Sequence, residues 1–370
     1  MIRLSKPSIG DEECKVVERV LRSGHLVHGE ECDFFEQELA HYLGCKDVVV
    51  VSSGTAALHL ALLALGIGEG DAVIVPDFTF PATVNVVELV GARPILVDVD
   101  SNTYNITPEN IQRAINGWNG KEKIRAIMPV HEFGCPADMT AIMKVAEEYN
   151  LLVIEDAACG LGAVHDGQKV GTFGQAGCFS FHPRKSITTG EGGAIATSDV
   201  KLADKLRIWR NHGIKHSNSA VDFVLAGLNY RMTNFQAALG RVQLTKFDDW
   251  LKMRHQLQKV YHAELVEIDV LLPVNVVGHA WQTYMIVLPD KVNREEMTLK
   301  LKEKGIETNL GAYSIHCQPY YKQKYPEMCK EQQSNNAERL FRCGLALPLC
   351  QEYFQDDIAL ICNEFKEALT

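Results

Sequence analysis

The 370-residue chain is predicted to have an α/β fold with a doubly wound, mostly parallel seven-stranded sheet and a smaller α+β domain after it. Two observations predict this fold. Between residues 48 and 196, short continuous apolar runs alternate with helix-like stretches, and such runs are typical of strands buried on both faces. Beyond residue 234 the alternation stops, and one long helical stretch leads into mixed strand and helix. The seven predicted strands are Val48–Val51, Ala72–Val75, Pro94–Val97, Ile124–Val130, Leu151–Ile154, Cys178–Phe181 and Gly193–Ala196.

The other elements divide the chain into two predicted domains. A large domain at residues 12–249 and a small one at 250–370, which packs with residues 1–11, fit the length, because 370 residues exceed one simple core. A long helix from about Asn234 to Glu267 connects them. The remaining predicted elements are helices from Asp11 to about Arg22 and over 32–43, strand Thr283–Leu288, helix Arg294–Lys304 ending at Gly305, and helix Gln355–Ala368.

Composition excludes several classes of function. The formal net charge of −10 argues against non-specific nucleic-acid binding, and the longest apolar run, 56–67, is too short to span a bilayer. The first ten residues lack the apolar segment of a signal peptide, and the eleven cysteines form no C-x-x-C pair, so we expect reduced thiols in a cytoplasmic protein. His212 and His216 lack a neighbouring glutamate, so we expect no metal site there or elsewhere.

The most informative stretch is Gly177–Ile195, which centres on Lys185. Pro183 ends an apolar strand, and Lys185 follows two residues later, just before the glycine-rich sequence T-T-G-E-G-G. A lysine in a partly dry pocket can form a Schiff base, and we expect the surroundings of Lys185 to lower its pKa. A surface lysine after a strand is the common alternative, so the assignment depends on other segments.

Two earlier segments supply the rest of a possible site. An apolar strand ending at Val51 leads through S-S-G-T into a helix, whose N-terminal N–H groups and Thr55 hydroxyl would bind an anion. Another apolar strand ends in Glu155-Asp156, at the carboxyl edge where parallel sheets bind ligands. Taken singly, each could be an ordinary helix cap. Together with Lys185 they supply what pyridoxal 5′-phosphate (PLP) needs: a phosphate site, a carboxylate for the ring nitrogen and an imine-forming lysine.

The chain resembles the DegT/StrS family of sugar-nucleotide aminotransferases, within the PLP fold type I (aspartate aminotransferase-like) superfamily. The residues that carry the resemblance are S-S-G-T-A-A-L (52–58), P-D-F-T-F-P-A-T (76–83), E-D-A-A (155–158), S-F-H-P-R-K-S-I-T-T-G-E-G-G (180–193) and N-Y-R-M-T-N-F-Q-A-A (229–238). The resemblance implies catalytic roles for Lys185 and Asp156. The cofactor contacts it implies are Gly54, Thr55, Ala56, Phe80, Asp156, Cys159, Ser180, Lys185, Asn229 and Arg231.

Several of these expected contacts have particular roles or alternatives. Phe80 is the aromatic expected to stack on the cofactor ring, and Ser180 is expected to bind its phosphate. Asn229, or otherwise Arg231, is expected to reach the phosphate of a partner subunit in a homodimer with shared sites. Cys159 departs from the glutamine or histidine usual in the family, and its thiol is a weak donor. Expected substrate contacts are His316, Tyr313 and Tyr320.

The resemblance implies a PLP-dependent transaminase, with pyridoxamine phosphate formed during turnover. Glutamate or glutamine would donate the amino group, and the acceptor would be a nucleotide-linked keto sugar, such as a 4-keto-6-deoxy hexose, for polysaccharide or glycoconjugate biosynthesis. A sugar dehydratase of the same family is one alternative, although it would have histidine in place of Lys185. Another fold type I enzyme, such as a decarboxylase or lyase, and a non-enzymatic regulator are further alternatives.

Overall fold

The structure is a computed structural model that describes residues 1–217, 220–326 and 336–369. Its strands are β1 (Asp47–Val51), β2 (Asp71–Pro76), β3 (Phe78–Thr79), β4 (Arg93–Val97), β5 (Lys123–Ile127), β6 (Leu152–Asp156), β7 (Val164–His165), β8 (Gln168–Lys169), β9 (Ala176–Ser180), β10 (Gly193–Thr197), β11 (Ile214–Ser217), β12 (Ala220–Phe223), β13 (Tyr284–Val287), β14 (Tyr313–Ser314) and β15 (Gly344–Leu347).

The helices of the described residues alternate with these strands through the first two hundred residues. They are α1 (Asp11–Ser23), α2 (Glu30–Leu43), α3 (Gly54–Ala64), α4 (Ala82–Leu89), α5 (Pro108–Gly117), α6 (Met139–Glu148), α7 (Val200–Arg210), α8 (Asn234–Leu265), α9 (Arg294–Glu303), α10 (Pro319–Lys324), α11 (Asn336–Cys343) and α12 (Gln355–Leu369), with a 3-10 turn at Glu132–Gly134. None of the helices in the described part of the chain is long and apolar enough to cross a membrane.

The central sheet contains the seven predicted strands in the order β1-β10-β9-β6-β5-β2-β4. The strands from β9 to β4 run parallel, whereas β10 runs antiparallel to both of its neighbours. The predicted strand Ile124–Val130 ends early, at Ile127, where Pro129 cannot donate a ladder hydrogen bond. Because β2, β5, β6 and β9 are parallel, the residues that follow them meet at one edge of the sheet.

Helices cover both faces of this sheet, which confirms the doubly wound prediction. Successive valines of β1 point to opposite sides: Val48 and Val50 pack in the cluster that contains α2 and α8 residues, and Val49 and Val51 in the one that contains α3 and α7 residues. All four valines are fully buried. The continuous apolar run of β1 thus reflects burial on two faces.

The C-terminal part follows the 32-residue helix α8. The α8 N-terminus has a capping box, in which Gln236 Oε1 accepts from the Thr233 backbone N–H at 3.0 Å. The N-terminal segment pairs with this part, because Ile2 bridges to Ile306 and the Leu349 N–H donates to the Leu4 carbonyl at 3.2 Å. These contacts agree with the expected packing of residues 1–11, while the domain limits stay a prediction.

One short pairing that the sequence does not predict connects the C-terminal part to the sheet. β14 pairs antiparallel with β3, so that Tyr313 lies opposite Thr79. Two-residue strands carry no periodic signal, which is why the pattern of apolar residues does not reveal them. The pairing closes one side of the cavity at the carboxyl edge.

Candidate active site

A cavity of about 340 Å³ lies at the carboxyl edge of the sheet, between the strands of the sheet and residues of the C-terminal part. The predicted residues Gly54, Thr55, Phe80, Asp156, Cys159, Ser180 and Lys185 all line it. Residues from β15 and from the loop before β14 form its opposite wall, including Ala346 and Gly311. The chain thus brings together predicted site residues that are up to 131 positions apart in sequence, from Gly54 to Lys185.

Lys185 lies in a turn just after β9, and its backbone N–H donates to the His182 carbonyl at 2.8 Å. Its Nζ donates to Cys159 Sγ at 3.0 Å. Burial lowers the pKa of Lys185, but Cys159 and the carboxyl groups of Glu132 and Asp156 raise it by more. The expectation of a lowered pKa is therefore wrong, because Cys159 and two acids share the pocket with the amine.

Asp156 ends β6 inside the cavity with only 4% of its surface exposed. Thr83 Oγ1 donates to Asp156 Oδ2 at 2.8 Å, and the Ala158 N–H donates to Oδ1 at 3.1 Å. The pKa of Asp156 is raised overall, because the effect of burial exceeds that of these two hydrogen bonds and of the charge on Lys185, which lower it. The carboxyl group is thus held in one orientation, directed by donors on both oxygens.

The N-terminus of α3 forms the opposite end of the cavity. Ser53 caps this helix, and its Oγ accepts the Ala56 N–H at 3.0 Å. The N–H groups of Gly54 and Thr55 are at the start of the helix, where no carbonyl of the helix can accept their hydrogen bonds. Together with the helix dipole they can therefore bind an anion. Ser180 lies close by, since a Cβ on Gly54 would meet the Ser180 Cβ at 2.8 Å. The helix end, Thr55 and Ser180 therefore form one polar corner.

Phe80 and Cys159 lie at other points of the cavity wall. Phe80 is 56% exposed and meets Tyr313 edge to face, with ring centroids 6.2 Å apart. An aromatic ring that is open on one side can stack on a flat ligand. Burial raises the pKa of the Cys159 thiol, which keeps it a neutral, weak hydrogen-bonding group beside Lys185.

Three of the predicted cofactor residues lie outside the cavity wall. Ala56 is 5% exposed, and its N–H is already bonded to Ser53. Asn229 bridges to Asn211, and Arg231 donates to Asn211 Oδ1 at 2.5 Å. For Asn229 and Arg231 this location agrees with the prediction that they serve a partner subunit's site, which stays a prediction.

None of the three predicted substrate residues lines the cavity. His316 is 6% exposed; its Nδ1 lies 2.5 Å from Asp77 Oδ2. Tyr313 does not line the cavity itself but packs on Phe80, and the Tyr320 hydroxyl donates to Glu88 at 3.2 Å. Contacts of these three residues with a sugar stay a prediction.

One group of possible metal ligands occurs among the described residues, although the sequence spacing does not indicate it. His316, Cys317 and Glu338 each place a ligand atom within 4.8 Å of the others. Glu338 is exposed, and such a group is common on protein surfaces without a metal ion.

Four polar residues of the cavity that the sequence prediction does not name affect the chemistry of the site. Thr83 orients Asp156, Glu132 is a second buried acid, Arg184 is a cation, and Gln282 donates from Nε2 to the Arg184 carbonyl at 2.8 Å. Thr83 and Arg184 lie within the motifs 76–83 and 180–193, so the sequence did indicate that these segments belong to the site. Glu132 follows Val130-His131 after an apolar strand, which is the same carboxyl-edge signal that marks Asp156.

These side chains fit PLP. A buried carboxyl group, a lysine amine and an anion site of free N–H groups face one cavity, and they match the ring nitrogen, the aldehyde and the phosphate of that cofactor.

The profile of the DegT/DnrJ/EryC1/StrS aminotransferase family matches residues 7–366. An uncharacterized protein of Methanocaldococcus jannaschii, MJ1066, is 36% identical over 99% of this chain and 97% of its own length. Spr1654 of Streptococcus pneumoniae, assigned as a sugar aminotransferase and solved in PMP and PLP forms, superposes with a TM-score of 0.91, at 26% identity over 98% of this chain and 96% of its own in the PMP form.

A third relative has a described pathway. PseC of Helicobacter pylori, an aminotransferase involved in the biosynthesis of pseudoaminic acid, superposes with a TM-score of 0.91, at 25% identity over 99% of this chain and 98% of its own. The family match covers almost the whole chain, and the cavity contains the groups that PLP needs. The chain therefore belongs to the DegT/DnrJ/EryC1/StrS aminotransferase family and is a PLP-dependent aminotransferase.

Proposed function

We propose that this enzyme transfers an amino group from glutamate or glutamine to a keto sugar linked to a nucleotide, most simply a 4-keto-6-deoxy hexose. The product would be an amino sugar for a polysaccharide or glycoconjugate. The observation that carries the proposal is the placement of Lys185, Asp156 and the α3 N-terminus around one cavity. Membership of a family with sugar aminotransferases among its relatives supports the sugar acceptor.

The residues of the site have two kinds of role, binding the cofactor and transferring protons. PLP, when bound, supplies an electron sink that makes the α-hydrogen of an amino acid acidic. Asp156 would keep a proton on the ring nitrogen, and Lys185 would carry a proton to and from the substrate carbon as general base and acid. The N–H groups of Gly54 and Thr55, together with Ser180, would bind the phosphate.

The cavity also suits an acceptor of this chemical class. It is open at Phe80, whose exposed ring gives a surface for stacking. Arg184, which is exposed at the cavity, is a cation that could bind a diphosphate or a carboxylate. The described cavity residues include one arginine, and a dicarboxylate-specific site would be expected to have two.

A screen with labelled donor tests the proposal. The holoenzyme is given glutamate carrying ¹⁵N and a panel of nucleotide-linked keto sugars, and label is followed into the sugar by mass spectrometry. We expect label in at least one amino sugar with wild type and none with Lys185→Ala. Failure of every keto sugar in the panel to gain label, with the glutamate half-reaction intact, would contradict the acceptor. A deoxygenated sugar without label would favour the dehydratase alternative.

We further propose that the active enzyme is a homodimer in which Asn229, or Arg231, reaches the partner's phosphate site. Both residues lie outside the cavity of their own chain. The preceding hairpin exposes apolar side chains, with Val221 53% and Phe223 70% exposed, as expected of a surface that packs against another subunit. A cytoplasmic location stays a prediction from the sequence.

A further inference from the structure

Glu132 is a buried acid in the cavity that the mechanism above leaves without a role. It belongs to the 3-10 turn after β5, lines the cavity and is only 5% exposed. Within the described residues its carboxyl group interacts with the Phe133 backbone N–H and with the charge of Lys185, and no side-chain hydrogen bond to it occurs. A carboxyl group can make several hydrogen bonds, and leaving most of them unmade in a buried position destabilises a protein, so such a group in a ligand cavity indicates that the ligand supplies further partners.

The backbone holds Glu132 in place from both sides. Its N–H donates to Asn105 Oδ1 at 2.9 Å, and Asn105 Nδ2 donates to the Cys135 carbonyl at 3.0 Å. The next residue, Phe133, has a left-handed φ of 56°, and its carbonyl accepts the Gln282 N–H at 2.9 Å. A left-handed non-glycine residue is strained and persists only where its surroundings fix it. The turn therefore presents the carboxyl group to the cavity in a defined position.

The surroundings of Glu132 favour its neutral form. Burial raises its pKa to about 8, against the effect of the Lys185 charge and in the same direction as Asp156. A neutral carboxyl group both donates and accepts a hydrogen bond, as a hydroxyl group does. A carboxylate on the ligand would be unfavourable here, because it would lie beside two acids, Glu132 and Asp156. The matching ligand group is therefore a neutral oxygen that can donate and accept.

We propose that Glu132 is a specificity-determining residue that exchanges hydrogen bonds with a hydroxyl group of the substrate sugar. The proposal rests on the proposed function, because it takes the sugar as the ligand that reaches this part of the cavity. Glu132 acts here by binding and transfers no proton. Replacement by glutamine preserves a donor and an acceptor, whereas replacement by leucine removes both, so the two variants separate binding from proton transfer.

The experiment measures how much the sugar adds to binding. The holoenzyme is titrated by calorimetry with a nucleoside diphosphate and with the same nucleoside diphosphate carrying a hexose without a keto group, which cannot react. In wild type the hexose should tighten binding. Glu132→Leu should reduce that gain about tenfold, as expected for a hydrogen bond inside a dry site, and leave the bare nucleotide unaffected. Glu132→Gln should keep the gain within about threefold.

A matched control and the contrary outcomes complete the test. Glu147→Leu, at an exposed position of α6, should change neither affinity. An unchanged hexose gain in Glu132→Leu would overturn the proposal, and so would a Glu132→Gln variant as impaired as Glu132→Leu. Wild type that gains nothing from the hexose would also overturn it. The ¹⁵N screen is independent of these titrations, so failure of the proposed function is recognised separately.

Stability against pH gives a second measurement that needs no ligand. The pKa of Glu132 is raised from 4.5 to about 8 on folding, so between these values the unfolded chain has lost a proton that the folded chain keeps. Stability from this group therefore falls as the pH rises from about 4.5 to 8. Compared with Glu132→Gln, wild type should lose melting temperature over this range. Parallel pH curves for the two proteins would show that Glu132 is ionised in the folded state and overturn the neutral-acid role.

Discussion

Lys185 is the residue on which the proposed chemistry depends most directly. Among the described residues that line the cavity, Lys185 is the one lysine. Lys185→Ala should therefore abolish turnover and the visible absorbance of the bound cofactor, because no other lysine among the described cavity residues can form the covalent bond. Borohydride treatment of wild type followed by peptide mapping should find the cofactor on Lys185. A label on any other lysine would contradict the assignment.

A substitution at Asp156 tests whether its charge keeps the cofactor ring protonated. Asp156→Asn keeps the shape of the side chain and can still accept from Thr83 Oγ1, but it cannot hold the ring nitrogen protonated by charge. We expect part of the cofactor to stay bound while the proton transfer at the substrate carbon slows by orders of magnitude. Stopped-flow absorbance with glutamate measures this step. Near-normal turnover of the asparagine variant would argue against the role.

The contrast between Asp156 and Glu132 illustrates what the sequence reveals at this scale. Both acids follow apolar strands, and the motif E-D-A-A made only Asp156 recognisable. The partners that determine their chemistry, such as Thr83 in α4 for Asp156 and Lys185 in the turn after β9 for Glu132, come from other elements and meet the acids only when the sheet is assembled. The same reason explains why the pKa of Lys185 was predicted in the wrong direction: its acidic neighbours are distant in sequence.

At the scale of elements, the anion site depends on how closely α3 approaches the sheet. A Cβ on Gly193 of β10 would lie 2.5 Å from the Ser53 carbonyl carbon and 2.7 Å from the Gly54 nitrogen. These are backbone atoms that cannot rotate away, so Gly193→Ala should displace the α3 N-terminus. We expect a loss of about 1–3 kcal/mol in stability, together with weaker cofactor binding.

Melting of the cofactor-free protein and fluorescence titration with PLP measure the two effects. Gly117→Ala is the matched control, because a Cβ on Gly117, in the last turn of α5, would meet nothing within 4 Å. It should leave cofactor affinity unchanged and stability equal or slightly higher. Equal affinities in the Gly193 variant and wild type would show that the close contact does not shape the phosphate site.

The elements themselves were largely predictable, and their pairing was not. Each of the seven apolar runs formed a strand of the central sheet, because burial on both faces leaves a continuous signal in the sequence. β10 lies between β1 and β9 and runs antiparallel to both. This position depends on how distant segments of the chain are connected, which a local sequence pattern does not indicate. The β3–β14 pairing, which positions Tyr313 beside Phe80, has two residues on each strand and gives no period to detect.

At the scale of the whole molecule, the remaining question is whether one chain forms a complete site. Asn229 lies away from its own cavity, yet the segment 229–238 resembles the part of the family that reaches a partner subunit. If the sites are shared, Lys185→Ala and Asn229→Ala subunits are each inactive alone but restore one intact site in a mixed dimer. Random mixing makes about half of the dimers hybrid, so about a quarter of wild-type activity should return. Sedimentation at the assay concentration checks the dimer directly. A monomer, or a mixture as inactive as its parts, would mean that Asn229 acts within its own chain or not at all.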